Sequence, residues 1–218
     1  MKADRIRAVL SFVSHLVILV STVLCVAGLL GAFRLEGDAV HMEIFRYYTT
    51  LSNVLGGLVA VPMAVLSLGR MRGKKPETPR PLGVVRFISA SALTLTMMTV
   101  VCFLGPMFGF GSMFRGANFW FHLINPLLSI LSFILFEEGE SHPRRSPFPG
   151  IVQTVLYGAV YVPMVLTGGW PDFYGFNIGG RWYLSLPLML AANLLLARLL
   201  LLGREAAARK TGAAEKTE

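Results

Sequence analysis

Residues 8–33 read AVLSFVSHLVILVSTVLCVAGLLGAF, a run whose only ionisable side chains are His15 and Cys25. A helix rises about 1.5 Å per residue, so about 20 apolar residues cross the hydrocarbon of a bilayer. This run is longer than that. Outward from it, charge-poor apolar runs recur at about 44–68, 82–108, 118–136, 149–168 and 182–202. The first and third are long enough to require tilt or projection beyond the bilayer. Six spans in 218 residues leave room only for short loops. The reading is an all-α polytopic membrane protein: one six-helix domain over residues 1–203, then a polar cytoplasmic tail at 204–218.

Composition agrees. The chain is 54% hydrophobic and 15% charged, with 12 acidic against 20 basic residues, and its mean hydropathy is +0.62. A soluble domain carries about 25% charge. A soluble enzyme, a nucleic-acid-binding domain and a disordered chain are excluded. Lys2, Arg5 and Arg7 before the first run imitate the start of a signal peptide, but the run is too long for its apolar core. Leu24 precedes Cys25 where a lipoprotein signal wants a small residue, so the run is read as a retained helix. Cys25 and Cys102 both lie in apolar runs and read as small hydrophobes. They form no disulfide framework and no metal-ligand spacing; no metal and no cofactor is expected.

Basic residues orient the spans. Lys2, Arg5, Arg7, Arg70, Arg72, Lys74, Lys75, Arg80, Arg86, Arg144, Arg145, Arg198, Arg204, Arg209, Lys210 and Lys216 fall on one side, sixteen in all. Arg34, Arg46, Arg115 and Arg181 make four on the other. Both termini are therefore expected in the cytoplasm. The Pro-rich segment from Lys74 to Pro81 reads as an extended linker touching anionic headgroups.

Polar residues within spans are costly and mark the bundle interior. Asn118, His122, Asn125 and Ser129 share one helical face in the fourth span, and Arg46, Thr49, Asn53 and Gly57 share one in the second. Thr49 and His122 lie about 7 and 6 Å down their helices from the same side at 1.5 Å per residue. The two stripes are expected to pack together. Ser89, Thr96, Thr99 and Ser129 read as interhelical glue, and His15 as a structural histidine. The loops Gly105–Ser112 and Gly168–Phe176, rich in Gly, Pro and aromatics, read as lids at the membrane interface.

The segment Arg46-Tyr47-Tyr48-Thr49-Thr50-Leu51-Ser52-Asn53, followed on a later helix by His122-Leu123-Ile124-Asn125-Pro126, resembles the androgen-induced protein family. Its members are small multi-spanning Thr/His hydrolases of fatty acid esters of hydroxy fatty acids. The chain is also similar to small bacterial six-helix membrane proteins of unassigned function. The resemblance implies Thr49 as nucleophile and His122 as its base. Thr50 beside Thr49 leaves the nucleophile open, and Pro126 follows His122 more closely than in animal members. It implies a lipid or fatty-acyl substrate, and the expected location is the bacterial cytoplasmic (inner) membrane with the active face extracytoplasmic.

The residues fit that chemistry. A Thr hydroxyl needs a base to take its proton, and imidazole suits the task near neutral pH. Supporting roles are expected from Asn53 or Asn125 as oxyanion donors, Asp172 as the group orienting the imidazole, and Arg46 as the partner of a fatty-acid carboxylate. The alternative is a non-enzymatic membrane protein: a small transporter, a lipid-binding protein or a scaffold. Ser112 lacks the downstream helix histidine of a rhomboid-type protease.

Overall fold

The computed structural model describes residues 2–32, 43–137 and 146–214. Arg34, Arg144, Arg145 and Lys216, which entered the charge asymmetry, lie outside the described residues. Among the described residues the chain is helical, with no strand. Six helices are long and apolar enough to cross a membrane, as an integral membrane protein requires. These are α1 (Lys2–Leu29), α2 (Tyr48–Met71), α3 (Arg80–Phe108), α4 (Ala117–Phe136), α5 (Phe148–Leu166) and α6 (Trp182–Ala214). The segment expected as a polar tail from residue 204 continues α6 as helix to Ala214.

Local chemistry sets the helix ends. Tyr47 is extended (ψ 131°), which separates α2 from the 3-10 turn Ile44–Arg46. At the other end of α2, Gly73 takes φ +79°, its N–H donates to Arg70 O, and Lys74 N–H donates to Gly69 O. That is the paired closure that a left-handed glycine permits. Pro79 and Pro81 open α3 where missing N–H groups cost nothing.

Two prolines shape the middle of the bundle. Pro106 and Pro126 cannot donate to the carbonyls four residues back, and their rings crowd those carbonyls. The helix widens just before each, into π turns at Val100–Leu104 in α3 and Trp120–Ile124 in α4. His122 sits inside the second.

Small residues bring α1 and α2 together: a Cβ on Gly57 would stand 3.1 Å from Thr22 Cγ2. Buried hydroxyl and amide pairs stitch the rest. Ser11 meets Ser67 at 2.9 Å, Ser52 meets Thr96 at 2.9 Å, and Asn193 Nδ2 donates to Thr154 Oγ1 at 2.6 Å. The outward faces are apolar, with Leu58 66% exposed, as suits a surface against lipid.

One buried cluster is ionic. Glu137 Oε1 accepts from Arg86 Nε at 2.9 Å and Nη2 at 2.7 Å, and from Ser132 Oγ at 2.9 Å. His15 Nε2 stands 3.2 Å from the same oxygen. Arg86 also donates to Ser129 Oγ and O, while Arg204 reaches Phe133 O and Glu137 O. The cluster joins α1, α3, the end of α4, and α6. Arg86, grouped by the sequence with the charges flanking a span, instead points into the bundle. Its side chain and that of Glu137 are 2% and 0% exposed. Burial alone would raise the Glu137 carboxyl, but Arg86, His15 and Arg204 outweigh it and hold the group well below the ordinary carboxylate range.

Candidate functional site

A cavity of about 440 Å³ lies among α2, α3, α5, α6 and the loop after α5. Its wall is apolar and aromatic, interrupted by a few hydroxyls, and no Lys, Arg, Asp or Glu lines it. Tyr48, Thr49, Thr96, Tyr157, Tyr161 and Tyr174 are among its hydroxyl-bearing residues. An apolar chamber with few convergent polar groups is the usual form of a small-molecule site.

Thr49 reaches this wall from the first turn of α2. Thr50, 4% exposed, is rotated off it and faces the protein interior, as about 100° per residue dictates.

His122 occupies a different position. It is buried on α4 and is not part of the cavity wall. Its Nδ1 lies 2.8 Å from Met113 O. A carbonyl only accepts, so Nδ1 carries the proton and the neutral ring leaves its lone pair on Nε2. Nε2 has no hydrogen-bond partner among the described residues. No hydrogen bond joins Thr49 to His122 in this arrangement.

Their helices do meet at this level. Asn53 Nδ2 donates to Thr49 O at 2.8 Å and to Phe121 O at 3.1 Å, so one amide holds the residue before His122 against the carbonyl of Thr49. Asn125 Nδ2 donates to Asn53 Oδ1 at 3.0 Å, and Asn125 Oδ1 accepts from Ser21 Oγ at 2.6 Å. The polar stripes of α2 and α4 thus meet at Asn53 and Asn125 and share a seam with α1. Asn53 and Asn125, expected as oxyanion donors, have their N–H groups occupied inside this seam, and both are fully buried.

Asp172, expected to orient the imidazole, does other work. Its carboxylate accepts from Tyr161 OH at 2.7 Å, Phe176 N at 2.8 Å and Asn177 N at 2.7 Å. Burial raises this carboxyl, but the Asn177, Tyr161, Phe176 and Tyr174 donors prevail and hold it below its ordinary value. Asp172 therefore shapes the loop after α5, and Met113 O takes the place beside the imidazole. Arg46, expected to hold a carboxylate, pairs with Glu43 and lies 5.7 Å from the Trp170 ring centroid. It is off the cavity wall.

The loop shaped by Asp172 delivers Tyr174. Gly175 takes φ +64°, a turn that a side chain would strain. Tyr174 packs on Tyr161 at 5.5 Å between centroids and its hydroxyl accepts from Tyr48 N–H at 2.9 Å. Burial pushes the phenol above its ordinary value, against the opposing influence of the Tyr48 and Thr49 main chain and of the Tyr157 and Thr49 hydroxyls beside it. Sequence reasoning missed Tyr174, which reads like any aromatic of an interfacial belt. It also missed Glu137, whose only signal is an acidic residue closing an apolar run.

Comparison with protein-family models, with curated proteins and with solved structures returns no match.

Proposed function

We propose that this protein is an intramembrane hydrolase of long-chain lipid esters, with Thr49 as nucleophile and His122 as base. The observation that carries the reading is the Thr49 hydroxyl on the wall of an uncharged, largely apolar cavity of about 440 Å³. Such a chamber suits an acyl chain. His122 supports it with the tautomer a base requires, fixed by Met113 O. The resemblance in Arg46–Asn53 and His122–Pro126 points to the same pair. The excess of basic residues on one side of the spans, read without the buried Arg86, supports a topology with both termini in the cytoplasm of a bacterial inner membrane and the start of α2 on the extracytoplasmic side.

In the reaction, His122 Nε2 takes the Thr49 proton as Oγ1 attacks the ester carbon. Collapse of the tetrahedral intermediate releases the alcohol, which leaves with that proton. Water then cleaves the acyl-threonine with the same imidazole as base. The reaction requires Thr49 Oγ1 and His122 Nε2 to come within hydrogen-bond reach in the substrate complex.

Purified protein in micelles should cleave 4-methylumbelliferyl palmitate. Thr49→Ala and His122→Ala should each abolish turnover, and Thr50→Ala should leave most of it. Activity should rise with pH as the imidazole loses its proton. Full turnover by both alanine variants would show the pair to be structural.

A second reading, a lipid-binding membrane protein without chemistry, is favoured by one observation: His122 lies off the cavity wall. It predicts a lipid that copurifies intact and is lost when the cavity is filled by Gly158→Trp.

A further inference from the structure

We infer that Tyr174 donates the hydrogen bond that holds the oxyanion when Thr49 attacks an ester; this rests on the hydrolase reading above. The two side-chain amides nearest Thr49 are excluded, because Asn53 and Asn125 spend their N–H groups on Thr49 O, Phe121 O, Thr22 Oγ1 and Asn53 Oδ1. The tyrosines of the wall can then be sorted by where their protons go. Tyr157 donates to Arg46 O at 2.8 Å. Tyr161 donates to Asp172 Oδ1 at 2.7 Å. Tyr48 is paired with Thr154 Oγ1 at 2.9 Å. Tyr174 differs from all three: its oxygen accepts from Tyr48 N–H, its hydroxyl lies beside that of Thr49, and no hydrogen bond between described residues ties its proton to a carbonyl or carboxylate.

That arrangement makes a strong donor in the right place. An N–H directed at a phenol oxygen polarises its O–H bond, so the remaining proton is offered more strongly. Tyr48 N–H belongs to the first turn of α2, where the amides have no partner in the helix. The residue it precedes is Thr49. The Tyr174 ring is fixed on Tyr161 and Tyr157, and its own N–H donates to Tyr161 OH at 3.3 Å. The group is thus pre-positioned, as oxyanion stabilisation requires.

In the step itself, the bond from Thr49 Oγ1 to the carbonyl carbon forms while the C=O π pair moves onto oxygen. The Thr49 proton goes to His122 Nε2. Tyr174 O–H meets the new oxyanion without transferring its proton, and releases it when the C–O bond to the alcohol breaks.

The test measures kcat and KM of wild type, Tyr174→Phe and Tyr174→3-fluorotyrosine on 4-methylumbelliferyl palmitate in micelles. Tyr174→Phe should lower kcat about 100- to 1,000-fold, the loss typical of one oxyanion donor, with KM within about twofold. Fluorination strengthens the phenol as donor and weakens it as acceptor. A donor role therefore keeps or raises kcat in the fluorotyrosine protein, and a role confined to capping α2 lowers it. The fluorotyrosine result also decides the matter if Tyr174→Phe fails to fold. Unchanged kcat in Tyr174→Phe would overturn this inference and leave Thr49 and His122 in place. Absence of turnover by wild type would overturn both.

Discussion

Two buried polar regions of this bundle solve the same problem in opposite ways. Around Glu137 the groups are charged, and one carboxylate oxygen is surrounded by Arg86, Ser132 and His15. Around Thr49 the groups are neutral, no charge touches the cavity, and no hydrogen bond between described residues ties the Tyr174 proton to a carbonyl or carboxylate. The cost of burying a bare ion explains the division. Charge survives inside such a bundle where opposite charge and several hydrogen-bond donors converge on it. A reactive hydroxyl needs open space beside it, which only neutral neighbours tolerate.

The ionic region should therefore govern stability and leave the chemistry alone. Glu137→Leu strands Arg86 without its partner, and breaking a buried pair from one side costs about 3–5 kcal/mol. This is the largest effect expected in the molecule, read as a fall in unfolding midpoint in micelles. The double replacement Arg86→Met with Glu137→Leu removes both charges and should be more stable than either single variant, since apolar pairs often match the ion pair they replace. A double variant as unstable as the sum of the singles would show that the two side chains are not coupled. The sign with pH follows from the depressed Glu137 carboxyl. Its contribution is complete above the unfolded carboxyl value and drains away as pH falls through the folded one.

The sequence carried these regions unequally. The six helices were legible because length and hydropathy are local properties of a run, and the meeting of α2 and α4 at Asn53 and Asn125 because each belongs to a polar stripe at helical spacing. That the cavity takes Thr49 and not Thr50 also follows from rotation along one helix. Asp172 was misread because two of its three partners are the backbone amides of Phe176 and Asn177, which leave no mark on a sequence. Arg86 and Glu137 are 51 residues apart, and each alone looks like the boundary charge of a span. Tyr174 depends on the path of a loop, and no periodicity encodes that.

The seam between the two regions should be intermediate. Asn125 joins Ser21, Thr22 and Asn53 through hydrogen bonds, and such bonds between membrane helices are worth about 0.6–2 kcal/mol. Asn125→Ala should lower stability by about 1–2 kcal/mol and also reduce turnover, because Asn53 then loses the partner that fixes it between Thr49 O and Phe121 O. A loss of stability with no change in turnover would separate the seam from the site.

The smallest effect belongs to Asp172, which shapes the loop and reaches the cavity only through Tyr161 and Phe176. Its carboxyl lies below the free value of 3.8. The ionised form therefore steadies the loop at every pH above that, and the support is lost as pH falls through the folded value. Asp172→Asn keeps one acceptor oxygen and loses the charge, so the loop should loosen while the six helices hold. Tryptophan emission in a Trp120→Phe, Trp182→Phe background reports Trp170 alone and should shift in Asp172→Asn at neutral pH as it does in the parent once acid has protonated the Asp172 carboxyl. Turnover should fall less than in Tyr174→Phe, because Tyr174 remains present and only its placement suffers. An Asp172→Asn protein with unaltered Trp170 emission and full turnover would show that Tyr161 and the aromatic stack position Tyr174 without the carboxylate.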